Sequence, residues 1–276
     1  MYLKHFGLAE LPFGITPDTS FTYLVQYHQE ALNTLLLALS EGEGFVKITG
    51  EVGTGKTLLC RRLLQTLDDG WVTAYLPNPN FDANTLFLAL AEELGIRDAA
   101  ELDQYHLVRR ISHTLLGHAR AKKRVVVCID EAQAMPLETL EALRLLSNLE
   151  TEKCKLLQIV LFGQPELDAK LRRPEVRQLL QRIAFHYQLG SLKKSEIGNY
   201  VAHRLRVAGY PGEGLFSRSA LRALHRASGG TPRLINILAH KSLMSVFGEG
   251  RQMVKVRHVR AARNDTEGAR RAGWFW

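Results

Sequence analysis

Cysteine is scarce in this chain of 276 residues: there are three, Cys60, Cys128 and Cys154. They are odd in number and far apart, and two lie inside apolar runs. A disulfide framework is therefore excluded, and buried free thiols in a reducing compartment are expected. The ten histidines are scattered, and no Cys/His spacing has the form of a zinc site. No run comes near the roughly 18 apolar residues that a membrane span requires. The opening MYLKHFGLAELPFGITPD has glycines and prolines where a signal peptide would carry its apolar stretch, so no leader is expected. Repeats and low-complexity tracts are absent too. With 46% hydrophobic and 23% charged residues, what remains is an ordinary globular chain, either one large domain or a larger and a smaller one.

Negative charge is scarce in one region only. Residues 191–276 hold 16 Lys/Arg against 5 Asp/Glu, a net of +11, whereas residues 1–190 hold 20 against 23, a net of −3. Such asymmetry fits an anionic partner (nucleic acid, lipid headgroups or an acidic protein) or else a solvated, arginine-rich helical face.

Glycine, by contrast, is concentrated. In FVKITGEVGTGKTLLC, Phe45–Thr49 reads as a buried strand and Lys56–Leu67 as a helix with leucines at helical spacing. Between them, Gly50, Glu51, Val52, Gly53, Thr54, Gly55, Lys56 and Thr57 fit G-x-x-x-x-G-K-[ST] at every fixed position. Such a loop turns backbone N–H groups onto phosphate oxygens. Its lysine reaches the β- and γ-phosphates, its threonine hydroxyl holds Mg²⁺, and the following helix adds the positive end of its dipole. ATP and Mg²⁺ are the expected ligands.

Strands and helices then alternate. Strands are expected at Val72–Leu76, Arg124–Asp130, Lys155–Phe162 and Ala184–Leu189. Helices are expected at Gln26–Ser40, Asn84–Leu94, Asp103–Ala121, Pro136–Leu149 and Pro165–Arg182, the last interrupted at Pro174. Residues 1–25 read as irregular. Five short apolar strands between helices imply a parallel sheet covered on both faces. After Gly190 the pattern becomes helical, at Ser195–Val207, Ser219–Ala227, Pro232–Phe247 and Val256–Arg263. The expected division is 1–190 for the α/β domain with its N-terminal extension, 191–264 for a helical lid and 265–276 for a basic, aromatic tail.

The strand Val125–Ile129 runs into Asp130 and Glu131. A carboxylate at a strand's C-terminal edge suits Mg²⁺, and Glu131 can take a proton from an attacking water. Gln164, after Phe162-Gly163, can order that water or can simply be a turn residue. Arg233, in Gly229-Gly230-Thr231-Pro232-Arg233, can reach a phosphate from the start of a helix or can be a surface arginine.

In order along the chain, GEVGTGKTLLCRRLL, DEAQ, LLSNLET, KLLQIVLFGQPEL and ASGGTPRLINILA resemble the AAA+ ATPases of the general secretion pathway protein A (ExeA) type. They resemble equally the relative that builds the mannose-sensitive haemagglutinin (MSHA) pilus, MshM. The resemblance covers nearly the whole chain. It implies a P-loop AAA+ fold, with a five-stranded parallel sheet flanked by helices and followed by a small all-helical lid. It also implies ATP hydrolysis in an ATP-dependent homo-oligomer. Asp130 and Glu131 become the Walker B pair, Gln164 sensor 1 and Arg233 sensor 2. Arg182, among the arginines of LRRPEVRQLLQRIAF, becomes the finger that reaches a neighbouring subunit, and Asn78 a residue that holds Glu131 in check. The implied partners are inner-membrane components of a type IV pilus or type II secretion machine, at the cytoplasmic face. The ExeA type continues into a transmembrane helix and a periplasmic part. An ending at Trp276 fits either the shorter type or a longer protein cut before its span. The closing Arg270-Arg271-Ala272-Gly273-Trp274-Phe275-Trp276 has the residue order of an anionic membrane boundary, or is a tail whose aromatics pack on the lid. The competing reading is a DNA-binding AAA+ regulator of transposition, for which only the basic charge speaks.

Overall fold

The structure is a computed structural model that describes residues 2–16, 18–21, 23, 26–151 and 155–270; Cys154 and Arg271–Trp276 lie outside them. In chain order the elements are α1 (Tyr2–Phe6), α2 (Gln26–Glu41), β1 (Phe45–Gly50), α3 (Lys56–Thr66), β2 (Trp71–Leu76), α4 (Ala83–Glu93), α5 (Gln104–Arg120), β3 (Arg124–Ile129), α6 (Leu137–Leu146), β4 (Gln158–Gly163), α7 (Glu166–Leu171), α8 (Arg177–Leu180), β5 (Ile183–Leu189), α9 (Ile197–Val207), α10 (Arg218–Ser228), α11 (Pro232–Gly248) and α12 (Val256–Asn264). They form two compact units. One comprises Tyr27–Glu51 and Leu59–Leu189, the other Met1–Gln26, Val52–Leu58 and Gly190–Trp276. Among the described residues no helix is long and apolar enough to cross a membrane.

The first unit is built on a parallel sheet of order β2-β3-β4-β1-β5. Side-chain alternation along each strand divides its core in two. Val125, Val127, Ile129, Ile159 and Leu161 face one way, onto α4, α5 and α6 through residues such as Phe87, Ile111 and Leu143. Val126, Cys128, Val160, Phe162 and Ile48 face the other way, onto Leu35 and Leu39 of α2 and Leu59 and Leu63 of α3. The central strands β1, β3 and β4 are mainly apolar because both their faces are covered, whereas β5, at the sheet edge, alternates in burial. Cys60 and Cys128 are buried free thiols in the second core. Burial and the contact with Cys128 push the Cys60 thiol well above the usual range.

Two boundaries in this unit differ from the sequence expectation by three residues each, and the interruption expected at Pro174 is present. β4 begins at Gln158 rather than Lys155, because Lys155 pairs antiparallel with Glu150 and the Leu156 amide donates to the Leu149 carbonyl, which closes a loop ahead of the strand. α6 stops at Leu146, three residues early. There the Ser147 hydroxyl donates to the Arg144 carbonyl and the backbone turns into that loop. The stretch Pro165–Arg182 is two short helices joined by a 3₁₀ turn at Pro174–Val176, since proline has no N–H to carry a helix through.

The second unit is helical. Residues 1–26 group with α9–α12, and they are not wholly irregular: α1 is a short helix whose Tyr2 hydroxyl lies 2.8 Å from His240 Nδ1. Buried Arg204 explains the grouping. Its guanidinium donates to the carbonyls of Pro12 (2.6 Å) and Gly14 (3.3 Å) and lies over the Phe21 ring. Tyr200 and Asn236 complete the network. A buried cation held by carbonyls and an aromatic face leaves no donor stranded. Between α11 and α12 the chain makes an isolated parallel bridge, from Val254 to Phe216.

Candidate functional site

In the sheet unit all five strands are parallel, so Gly50, Asp130 and Gln164 all sit at strand C-terminal ends. This is the edge at which open α/β sheets bind ligands. Asp130 is 2% exposed, and one of its carboxylate oxygens accepts from the Glu131 amide at 2.9 Å. Glu131 itself has φ 53 and ψ 36, a left-handed conformation uncommon for a residue with a side chain and concentrated at functional positions. It opens a 3₁₀ turn, Ala132–Ala134, and so leaves the strand's alternation.

Two amides grip the Glu131 carboxylate. Gln133 Nε2 donates to Oε2 at 2.5 Å, and Gln164 Nε2 donates to the same oxygen at 3.1 Å. The far end of Gln133 is held as well: its Oε1 accepts from the Gln164 backbone amide at 2.9 Å. The half-buried ammonium of Lys170 donates to the carbonyls of Gln133 (2.5 Å) and Met135 (2.6 Å) and pins the turn. Burial holds the Lys170 pKa below the usual lysine range. The strand ends thus bring Gln164 to Glu131, as their spacing suggested. Gln133 and Lys170 were not anticipated. The only signal for Gln133 was its place in DEAQ, and its function depends on the left-handed turn at Glu131. Asn78 is exposed and, among the described residues, makes no hydrogen bond to Glu131. Arg182 is half-buried just before β5 and donates to Ser147 Oγ at 2.6 Å.

The helical unit contains Val52–Leu58, the turn of the glycine-rich loop and the first residues of α3. Thr54 and Lys56 are buried there, and Val52 is half exposed. Gly53 has φ +79, and a Cβ at that position would lie 2.5 Å from Cβ of Arg233. Only glycine satisfies both the dihedral and the approach. The Arg233 amide donates to the Gly53 carbonyl at 3.3 Å, and Arg233 is exposed at the first turn of α11. The loop and the arginine chosen from sequence are therefore direct neighbours.

In the helical unit, a backbone that only glycine can adopt, with a buried lysine beside it, suits phosphate oxygens. In the sheet unit, the buried carboxylate of Asp130 suits a hard cation that keeps its waters. Among the described residues no group of three His, Cys, Asp or Glu side chains could hold a metal ion.

Comparison with known proteins agrees. Residues 39–171 match the family described as AAA domain. The chain is 43% identical to general secretion pathway protein A of Aeromonas hydrophila over 276 residues, 99% of this chain and 50% of that protein. It therefore spans half the length of that relative. Its fold is similar to that of Aeropyrum pernix ORC2, solved with ADPNP and ADP, at TM-score 0.67 and 16% identity over 93% of this chain and 73% of that one. It is also similar to Cdc6p of Pyrobaculum aerophilum, at TM-score 0.67 and 19% identity over 90% and 70%. At these identities the two structures speak for the fold alone. With the sheet order, the loop and the identity along 99% of this chain together, the chain has the P-loop AAA+ fold and is related to general secretion pathway protein A.

Proposed function

We propose that the chain hydrolyses ATP to drive assembly of a type II secretion or MSHA-type (type IV) pilus machine at the cytoplasmic face of the bacterial inner membrane. The observation that carries this reading is the 43% identity over 99% of the chain to general secretion pathway protein A. In this reading residues 1–190 are the ATPase domain, 191–264 the lid and 265–276 the tail. The amides of Gly50–Thr57 cradle the phosphates, and Lys56 faces the β- and γ-oxygens. Thr57 and Asp130 hold Mg²⁺, which when bound neutralises charge on the phosphate oxygens. Glu131 accepts the proton of the attacking water. Gln133 and Gln164 orient its carboxylate, and Gln164 senses the terminal phosphate. Arg233 in cis and Arg182 from a neighbouring subunit add positive charge to the transition state, so the working form is an ATP-dependent homo-oligomer.

The test is made in cells. A strain lacking the protein is scored for secreted proteins and for surface pili, then complemented with wild type or Lys56→Ala. Wild type should restore one of the two outputs. Lys56→Ala should restore neither, and its affinity for a fluorescent ATP analogue should fall at least tenfold, about 1.4 kcal/mol. Full complementation by Lys56→Ala would remove ATP from the account.

A further inference from the structure

Four guanidinium groups from three parts of the helical unit line one pocket of about 200 Å³. Arg226 comes from α10, Arg260 and Arg263 from α12, and Arg270 from the chain beyond it; the floor is apolar, with Ala223, Ala227, Val256 and Val259. No acidic residue lines it. Arg270 is fixed in place: its amide donates to the Ala227 carbonyl at 2.8 Å, and its guanidinium lies over Gly229. Gly229 ends α10 at φ +60, and a Cβ there would stand 2.5 Å from the guanidinium carbon. A side chain at position 229 would therefore push Arg270 away.

These cations lack counterions. Among the described residues, Arg226, Arg260 and Arg270 make no ion pair, and Arg263 donates only to Asn264. Two nearby acids are committed elsewhere, Asp265 to Lys241 and Glu249 to Arg251, Arg257 and His258; Glu267 is exposed and, among the described residues, pairs with none of the four. The basic face continues along α10. Arg218, Arg222 and Arg226 recur every fourth residue, so they share one side of the helix at steps of about 6 Å. Arg218 and Arg222 line a second groove with Lys193 and Lys194. Like charges at this spacing destabilise an isolated helix.

We propose that the pocket between α10 and α12 binds the phosphate of an anionic phospholipid headgroup, with the arginine row of α10 as its flank. Arginine forks match phosphate geometry and give up hydration readily. An apolar floor beneath the cations suits the carbon of a glycerol backbone. Among the described residues, neither groove is lined by an aromatic side chain on which a nucleic-acid base could stack. In sequence, Arg270 is followed by Arg271 and then by Trp274, Phe275 and Trp276, cations first and interfacial aromatics next. The inference rests on the reading that the chain works at a membrane face, and it is independent of ATP hydrolysis.

The full chain is floated with vesicles of phosphatidylglycerol and phosphatidylcholine, and with vesicles of phosphatidylcholine alone. Four forms are compared: wild type, Arg226→Gln/Arg260→Gln, Arg226→Glu/Arg260→Glu, and a deletion of residues 271–276. Thermal melting and fluorescent-nucleotide titration verify that each is folded. The wild type should bind only the anionic vesicles, more weakly as salt rises. The glutamine pair should lose about tenfold in binding and the glutamate pair all of it, while the deletion keeps a part that the groove supplies. If both pairs float as the wild type does, the groove is not the site although the membrane reading stands. If the wild type fails to bind anionic vesicles, both ideas fall. Tighter binding of a labelled DNA duplex than of vesicles, lost in the glutamate pair, would reassign the groove to nucleic acid.

Discussion

The two units handle polar groups in opposite ways. In the sheet unit the functional polar side chains are bonded to one another: Glu131 to Gln133 and Gln164, Gln133 to the Gln164 amide, Lys170 to two carbonyls of the same turn. In the helical unit Arg204, deep among carbonyls, is treated that way, and Arg257 of α12 pairs with Glu249. Arg226, Arg260, Arg263 and Arg270 make no ion pair among the described residues. An internally satisfied cluster has fixed geometry, which chemistry at a reacting atom demands. Cations without counterions hold an unspent attraction, which suits a partner that arrives from solution. In the proposed reading, this contrast separates where a bond is cut from where the molecule is held.

The largest expected effect is on the sheet side. Glu131→Gln keeps size and polarity and loses the base. Turnover should fall a hundredfold or more, about 2.7 kcal/mol in the barrier, while nucleotide affinity stays within twofold. Steady-state kinetics beside a fluorescent-nucleotide titration checks both. An equal loss of turnover in the Arg226→Gln/Arg260→Gln form would break the contrast.

Next is the arginine proposed to act across subunits. Arg182 is tethered to Ser147 Oγ, so its use by a neighbour requires that bond to exchange. Wild-type specific activity should rise with protein concentration. Arg182→Ala should reduce the plateau about twentyfold or more and flatten the dependence. Activity that is flat from dilute to concentrated wild-type protein, with no ATP-dependent oligomer in light scattering, removes the trans arrangement.

A smaller effect is expected at Gln133. Its amide is one of two holding the Glu131 carboxylate. Gln133→Ala should lower kcat about fivefold, about 1 kcal/mol, with the nucleotide Kd unchanged. A change in Kd equal to that in kcat would make Gln133 structural and the wiring of the sheet unit incidental.

What was readable in the sequence follows from which features are local. The glycine-rich loop, the Val125–Glu131 run and the helices after Gly190 depend on spacing and periodicity within one segment, and the sheet and its helices fall where those patterns indicate. Features set by distant partners were not readable. The five residues of α1 are too few to be helical alone, and they dock through Tyr2 onto a histidine 238 positions away. The late start of β4 needs the Glu150–Lys155 bridge. The role of Gln133 needs a left-handed Glu131, which no residue pattern announces. The arginine pocket draws on α10, α12 and Arg270, whose convergence exists only in the folded chain.

The smallest expected effect is on the helical side and concerns pH. Burial lowers the His240 pKa below its ordinary 6.5 and pushes the Tyr2 hydroxyl up to about 12. The two side chains lie 2.8 Å apart with their rings edge to face. With the imidazole neutral, the phenol donates to Nδ1. Because the folded pKa is below the unfolded one, the unfolded chain takes up the proton first on acidification. The contribution of this contact is therefore full above about pH 6.5 and is lost as pH falls through the lowered folded value. A single buried hydrogen bond contributes about 1 kcal/mol, or about 2–4 °C in Tm for a chain of this size. Melting curves from pH 7.5 to pH 5 should show that extra loss in the wild type and not in His240→Gln. Amide protection factors in Tyr2–Phe6, corrected for the intrinsic pH dependence of exchange, should fall over the same range. If the two proteins lose stability in parallel, the pH dependence of the helical unit belongs to other groups. The docking of α1 would then have to be counted with its apolar contacts alone.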